Sequence, residues 1–178
     1  MKIGGSFARH DMFPTVAPSF DDPIAMLCAC HDKVRRFSAL SLKLAEHVAL
    51  HGADAEAQTA AQAILRYFDH AAPLHHADEE QDLFPALLSL SRPALQATLT
   101  ELTQQHPQLD ALWQLVRGWL LAIVAGTALP PPPELPQFVA LYTEHAAREE
   151  AELYPAAADL PPEQLQAAAQ RMQARRGA

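Results

Sequence analysis

The sequence predicts an all-α protein: an up-down-up-down four-helix bundle with an irregular N-terminal arm and a short C-terminal helix. Three observations support this prediction. Apolar residues recur at three- and four-residue steps over four long segments, which is the spacing of one helix face. The helix formers alanine and leucine dominate, whereas glycine, at 6 residues of 178, is scarce. Proline or glycine residues separate the four segments, so each segment is expected to form its own helix.

The first helix is expected to begin after Asp22 and the second after Asp54. An aspartate followed by Pro23 is typical of a helix N-terminus, and Gly52 is expected to end the first helix. Pro73 should kink the second helix, because proline lacks a backbone donor. The apolar stripes of these two helices are Ile24, Leu27, His31, Val34, Ser38, Leu42, Ala45 and Ala49, and then Leu65, Phe68, Ala72, His75, Glu79, Leu83 and Leu87.

The third helix is expected between Ser91 and Gly126, with a bend at Pro107. Residues 130–136 hold five prolines and predict a stiff, extended connection to the fourth helix. Pro161 should end that helix. The apolar stripes are Leu95, Leu99, Leu102, His106, Leu109, Trp113, Val116, Leu120 and Ile123, and then Phe138, Leu141, His145, Glu149 and Leu153.

Composition excludes several classes of protein and partner. The net charge of −8 suits nucleic acid poorly, so no nucleic-acid partner is expected, and the late Arg171, Arg175 and Arg176 are interpreted as a solvated basic tail. No apolar run reaches the roughly 18 residues of a membrane span, so no membrane partner is expected. Cys28 and Cys30 would point about 200° apart on a helix, too far for a disulfide, which agrees with a cytoplasmic protein. The expected regions are an arm (1–20), the bundle (21–160) and a C-terminal helical tail (161–178).

One motif occurs twice, as HHADEEQDLFP beginning at His75 and as HAAREEAELYP beginning at His145. Aligned on their prolines, the two segments match His75 with His145 and Glu79 with Glu149. The four-residue spacing puts each histidine and its glutamate on one helix face, and that face is the apolar stripe. Because glutamate is rarely buried unless it is paired or bound to metal, the repeat indicates a metal site.

The other two helices each direct one histidine to their stripe, His31 and His106. His31 and His75 lie about 20 and about 24 residues from the turn that joins their helices, and His75 and His106 both lie about 15 residues from the next turn. The side chains should therefore reach one level of the bundle. The predicted metal ligands are His31, His75, Glu79, His106, His145 and Glu149.

Four histidines and two carboxylates at one level predict a site for two metal ions. Each ion would take about two imidazoles, and the glutamates would bridge the two ions. Nitrogen and carboxylate ligands suit iron, manganese or zinc. Such ions would keep positions open for water, an oxo bridge or a diatomic ligand, so the expected partner is a small diatomic or oxo ligand.

The chain resembles the hemerythrin-like, HHE cation-binding family. His31 within HDKVRRF, the two repeated segments and His106 carry the resemblance, which covers roughly residues 24–157. It implies a bundle with a centre of two non-haem iron ions, bound by the six residues named above. It also implies oxygen binding, a response to nitric oxide or iron, or a role in iron–sulfur repair.

The sequence departs from the oxygen-carrying members of that family at one position. Those proteins have a further histidine four residues after the one on the third helix, and here that position is Asp110. They also place an acid five residues after the last histidine, which would be Glu150. The loss of one imidazole weakens the case for simple reversible oxygen carriage.

Several alternatives remain open on sequence alone. His76 with Glu80 is another register of the first motif, although the match to the second motif favours His75 with Glu79. Glu80 and Glu150 are expected either to orient imidazoles or to be solvated. Of the three tyrosines, none is favoured as a partner of a ligand at the metal.

Three functions are compatible with these residues. The first is a di-iron protein that binds oxygen or nitric oxide or senses iron or redox state. The second is a di-iron enzyme acting on peroxide or nitric oxide or in iron–sulfur cluster repair. The third is a helical interaction module whose metal site is structural. The wide apolar stripes of the first and third helices also leave a homodimer open.

Overall fold

The computed structural model describes residues 21–177, and within that range it contains helices and no strands. The predicted N-terminal arm, residues 1–20, lies outside the described residues. The helices are α1 (Pro23–His51), α2 (Ala55–Arg66), α3 (Ala72–Asp78), α4 (Phe84–Leu88), α5 (Pro93–Val124), α6 (Leu135–Arg148) and α7 (Pro162–Gly177). The remaining helical segments are three π-helical turns (Tyr67–Ala71, Glu79–Leu83 and Glu149–Leu153) and one 3₁₀ segment (Tyr154–Asp159).

The helices form four antiparallel rods, as predicted. The first rod is α1, the second runs continuously from α2 to α4, the third is α5, and the fourth begins with α6. The first rod packs against the second and the fourth, and the third rod packs against the same two. Each rod therefore has two neighbours, as in the up-down-up-down bundle expected from four amphipathic segments joined in sequence.

Helix ends follow the sequence signals closely. The carboxylates of Asp22 and Asp54 each accept a hydrogen bond from the backbone N–H three residues later, at 2.9 and 2.8 Å, and so cap α1 and α2. Gly52 and Gly126 follow the ends of α1 and α5 with φ angles of 73° and 79°. Any other residue would be strained in that left-handed conformation, so these two glycines fix where the rods turn.

The π-helical turns have a common cause in proline. Each of the three turns ends two residues before a proline, namely Pro73, Pro85 and Pro155. A proline ring clashes with the carbonyl four residues earlier and offers no N–H, so the turn before it widens. The kink predicted at Pro73 takes this form. The other two turns begin at Glu79 and Glu149, so the proline of each repeated motif shapes the backbone that carries its glutamate.

The apolar interior is divided into two clusters by a polar layer. One cluster, which includes Val34, Phe68 and Leu109, fills the end of the bundle near the α1–α2 turn. The other, which includes Leu27 and Leu102, fills the opposite end. The histidines of the four rods lie between the two clusters, where water is excluded from both sides.

Two further features concern the expected cellular environment. No helix among the described residues is both long and apolar enough to cross a membrane. Cys28 and Cys30 are both free thiols, as their spacing predicted. The cytoplasmic location itself stays a prediction.

The interpretation of the late arginines as a solvated tail is wrong for Arg175 and Arg176, whereas the Arg171 side chain is 56% exposed. They lie on α7, which packs against α1, α3 and α4. Arg175 and Arg176 pair with Asp78, which has no exposed surface, and Arg171 and Arg175 pair with Asp82, which is 1% exposed. Sequence alone could not show this, because the two aspartates flank the metal motif and their partners lie about 90 residues away.

We expect Arg175→Ala to destabilise the protein by about 2–4 kcal/mol, because it removes a shared cation from two buried carboxylates. Arg92→Ala is the matched control, since Arg92 pairs with a half-exposed Asp159 and should cost at most about 1 kcal/mol. Urea denaturation of both metal-free variants gives the two free energies of unfolding. Equal effects of the two substitutions would contradict the role assigned to Arg175.

Candidate metal centre

The six residues predicted as metal ligands meet in the polar layer between the two apolar clusters. Each of the four rods contributes one histidine, and the second and fourth rods each add a glutamate from a π-helical turn. All six side chains are buried, with at most 5% of any of them exposed. They are His31, His75, Glu79, His106, His145 and Glu149.

The six residues form two groups that share both glutamates. In one group, the donor atoms of His31 and His75 lie within 4.8 Å of each other and of oxygens of Glu79 and Glu149. In the other group, the donor atoms of His106 and His145 lie within 4.8 Å of each other and of oxygens of the same two glutamates. The arrangement therefore offers two adjacent positions, each with two imidazoles, and two carboxylates common to both.

Glu149 spans the two positions most directly. Its Oε2 atom lies 3.1 Å from Nε2 of His31, and its Oε1 atom lies 3.0 Å from Nε2 of His145. Glu79 lies somewhat further away, with Oε2 at 3.7 Å from Nε2 of both His75 and His106. Both carboxylates thus face imidazoles from each pair.

Three of the four imidazoles are held by an oxygen on the side away from the cluster. Nδ1 of His31 donates to Glu150 at 3.0 Å, Nδ1 of His145 donates to Gln105 at 2.9 Å, and Nδ1 of His106 donates to Glu80. These oxygens accept protons and so place the proton on Nδ1. The Nε2 atom of each ring is left as a bare acceptor that faces the cluster, as metal-binding histidines require.

The unpaired atoms of the cluster fit a bound cation. Nε2 of His106 and Nε2 of His145 lie 3.1 Å apart, and in the neutral rings with the proton on Nδ1 both of these atoms are acceptors. Among the described residues, Oε2 of Glu79, both oxygens of Glu149 and Nδ1 of His75 have no hydrogen-bond partner. Buried oxygens and nitrogens in this state are costly, and a cation among them would satisfy the oxygens and the Nε2 lone pairs together.

Burial and close contact shift the pKa values of these groups in opposite directions. Burial, assisted by the neighbouring His31, lowers the pKa of His75 to about 3, so its imidazole is neutral. Burial and the facing Glu149 raise the pKa of Glu79 well above its usual range. Burial alone would also raise the pKa of Glu149, but the imidazoles around it outweigh burial and hold that pKa well below the usual value. Metal binds neutral imidazole and ionised carboxylate, so a bound cation would displace the proton that the raised pKa favours on Glu79.

The second glutamate of each motif, Glu80 or Glu150, accepts a hydrogen bond from a histidine of another rod. Glu80 accepts from His106 on the third rod, and Glu150 accepts from His31 on the first. Arg35 fixes Glu150 in turn, donating two hydrogen bonds at 3.0 and 2.7 Å. The expectation that these glutamates orient imidazoles therefore agrees with the geometry.

Tyr154 is the tyrosine that the structure places at the cluster. Its hydroxyl donates to Oε1 of Glu79 at 2.6 Å and lies 3.2 Å from Nε2 of His31. Its ring also stacks on the His31 ring, with centroids 5.4 Å apart. Tyr67, in contrast, donates to the backbone carbonyl of Cys30. No spacing rule distinguishes the tyrosines, so sequence reasoning could not select Tyr154.

His76 is a further residue that sequence reasoning did not place correctly. It is not an alternative to His75 but lies beside the second pair, with a ring nitrogen within 4.8 Å of those of His106 and His145. Its ring stacks on that of His106 with centroids 4.0 Å apart and planes at 9°. The doublet of His75 and His76 is the feature of the sequence that marks this residue.

The fold and the site define a class of protein, and comparison with known proteins agrees with it. The structure is an all-α bundle with a buried histidine–carboxylate metal site. A family model described as the hemerythrin HHE cation-binding domain matches residues 22–157. An uncharacterized protein of Haemophilus influenzae is 35% identical over 138 residues, which cover 77% of this chain and 80% of that protein. The chain belongs to the hemerythrin HHE cation-binding family and is a metal-binding protein.

We expect Glu150→Gln to weaken metal binding about 10- to 100-fold, because the His31 imidazole loses its charged acceptor. Glu80→Gln should act in the same direction through His106. Competition with a chromophoric chelator measures the apparent dissociation constants. Glu144→Gln, an exposed change on α6, is the control and should leave metal affinity unchanged. Wild-type affinity in the Glu150 variant would refute the role given to that carboxylate.

Proposed function

We propose that the two groups of donors bind two non-haem iron ions and that the protein uses them to bind oxygen or nitric oxide. The observation that supports this most is the sharing of Glu79 and Glu149 by two histidine pairs. A single-ion site would need only one of the groups. Imidazole and carboxylate together suit iron, with manganese or zinc as the other ions compatible with the same donors.

The proposed ligand set is incomplete for six-coordinate ions. Each position has two imidazoles and a share of two carboxylates, and Asp110 is exposed and belongs to neither group. When bound, such an iron pair supplies open coordination positions and a two-electron redox couple. The chain's own contribution is to hold the donors in place, through Glu150, Glu80 and Tyr154, and to keep water away from the shared carboxylates.

A second candidate is an enzyme that acts on peroxide or nitric oxide. A pocket of about 330 Å³ lies against His106, and such a volume exceeds the needs of a diatomic ligand. Turnover of peroxide or nitric oxide by the di-ferrous protein, lost in Glu79→Ala, would favour this candidate. Equal rates in the two proteins would reject it.

The full chain, loaded with iron(II) and then oxidised by air, is expected to hold two iron ions and to show the near-ultraviolet absorption of an oxidised di-iron site. Glu149→Ala should lose both the second iron and that absorption, because it removes the carboxylate that spans the two positions. His70→Ala, an exposed change on the same rod as His75, should retain both. Elemental analysis gives the iron content, and one iron per wild-type chain would rule out the two-ion proposal.

Metal should also stabilise the fold. A free metal concentration 100 times the dissociation constant should add about 2.7 kcal/mol to the free energy of unfolding, because only the folded chain assembles the six donors. The same metal concentration should stabilise the Glu79→Gln variant far less, or not at all. Thermal unfolding with and without metal measures the difference. A metal-induced shift equal in both proteins would indicate binding elsewhere.

A further inference from the structure

A pocket opens on one side of the metal centre, between the second, third and fourth rods. Its volume is about 330 Å³. Phe68, Trp113 and Tyr142 form an aromatic wall, and Pro73 and Pro107 extend the apolar lining. Pro73 follows a π-helical turn of the second rod, whereas Pro107 lies within the continuous helix α5.

The pocket borders the metal centre at His106, which forms part of the pocket wall. His31 and His75 do not line the pocket, and Tyr154 is stacked on His31. The salt bridge between Arg35 and Glu150 lies behind His31 as well. A molecule in the pocket thus lies beside His106, whose Nε2 is 3.1 Å from Nε2 of His145.

His76 lies where such a molecule would approach the metal. Its ring is nearly parallel to that of His106, so the in-plane lone pairs of the two rings run side by side and do not converge on one ion. This geometry disfavours His76 as a third imidazole ligand of that ion. It lines the pocket within 4.8 Å of the donor nitrogens of His106 and His145, and so presents a hydrogen-bonding group to a ligand at the open position.

Charge restricts the ligand that this pocket accepts. The polar part of the lining includes the carboxylates of Glu80 and Asp110. Asp110 is exposed. Carboxylates at the rim repel anions, whereas the aromatic wall favours a flat apolar surface. Volume, lining and charge together describe an organic molecule that carries no negative charge and is larger than a diatomic gas.

We propose that this pocket binds a small organic molecule without negative charge, whose flat apolar part contacts the aromatic wall and whose oxygen-bearing end reaches the metal at His106 and His145. The proposal rests on the metal centre of the proposed function and specifies its ligand class. Phe68, Trp113 and Tyr142 contact the apolar part of the ligand. His76 forms a hydrogen bond with its oxygen-bearing end.

Two hydroxamic acids test the proposal with the full chain loaded with iron and oxidised by air to iron(III). Both are uncharged when free at neutral pH, and both bind iron(III) through the same two oxygens after releasing one proton to solvent, but only benzohydroxamic acid carries a ring. Titration, followed by the visible absorption of the iron–hydroxamate complex, gives both dissociation constants. We expect benzohydroxamic acid to bind at least roughly tenfold more tightly than acetohydroxamic acid, because its ring is buried in the pocket. Equal affinities in the wild-type protein would overturn the proposal without any variant.

A variant that fills the pocket locates the binding. Ala77 lines the pocket, and Ala77→Leu should reduce the affinity for benzohydroxamic acid about tenfold or more while changing that for acetohydroxamic acid about twofold or less. Ala97→Leu makes the same change on the exposed face of α5 and should alter neither. Iron content is measured in every sample. Absence of iron from the wild-type protein would overturn the proposed function, whereas iron retained with equal loss of both hydroxamates would overturn only the pocket proposal.

Discussion

Two carboxylates with no exposed surface lie at the centre of this bundle, and the structure around them compensates for their burial. Glu79 and Glu149 are surrounded by four imidazoles from four rods, and apolar clusters exclude water above and below. In a medium of low dielectric constant, buried charge is tolerated only with partners of opposite charge or hydrogen-bond donors. A bound cation would satisfy the carboxylate oxygens and the imidazole nitrogens at the same time.

Each copy of the repeated motif carries two adjacent glutamates, and the two glutamates have different roles. Neighbouring residues on a helix point about 100° apart, so when Glu79 or Glu149 faces the cluster, the next glutamate faces a neighbouring rod. Glu80 and Glu150 use that direction to fix imidazoles on the third and first rods. Each motif thus supplies both a shared carboxylate and the acceptor that orients a histidine of another rod.

The two sides of the metal centre differ although the motif repeats. In the second copy, the Tyr154 hydroxyl donates to Glu79 and its ring stacks on His31, whereas the equivalent residue of the first copy, Phe84, has no hydroxyl. On the other side, the space next to His106 is left open, with Asp110 at its rim. The chain beyond the matched family segment adds α7, whose arginines neutralise the two aspartates that flank Glu79. The local environment of the first copy therefore depends on residues far along the chain.

The sequence by itself determined the four rods, their capped ends and the six buried donors, because helical periodicity, capping residues and four-residue spacing are local properties. The level at which the histidines meet also followed from counting residues along rods of constant rise. Tertiary structure alone decided which groups surround them. Tyr154 at Glu79, His76 beside His106, and α7 over Asp78 and Asp82 all depend on how the rods rotate and pack, and no local pattern in the chain records those rotations.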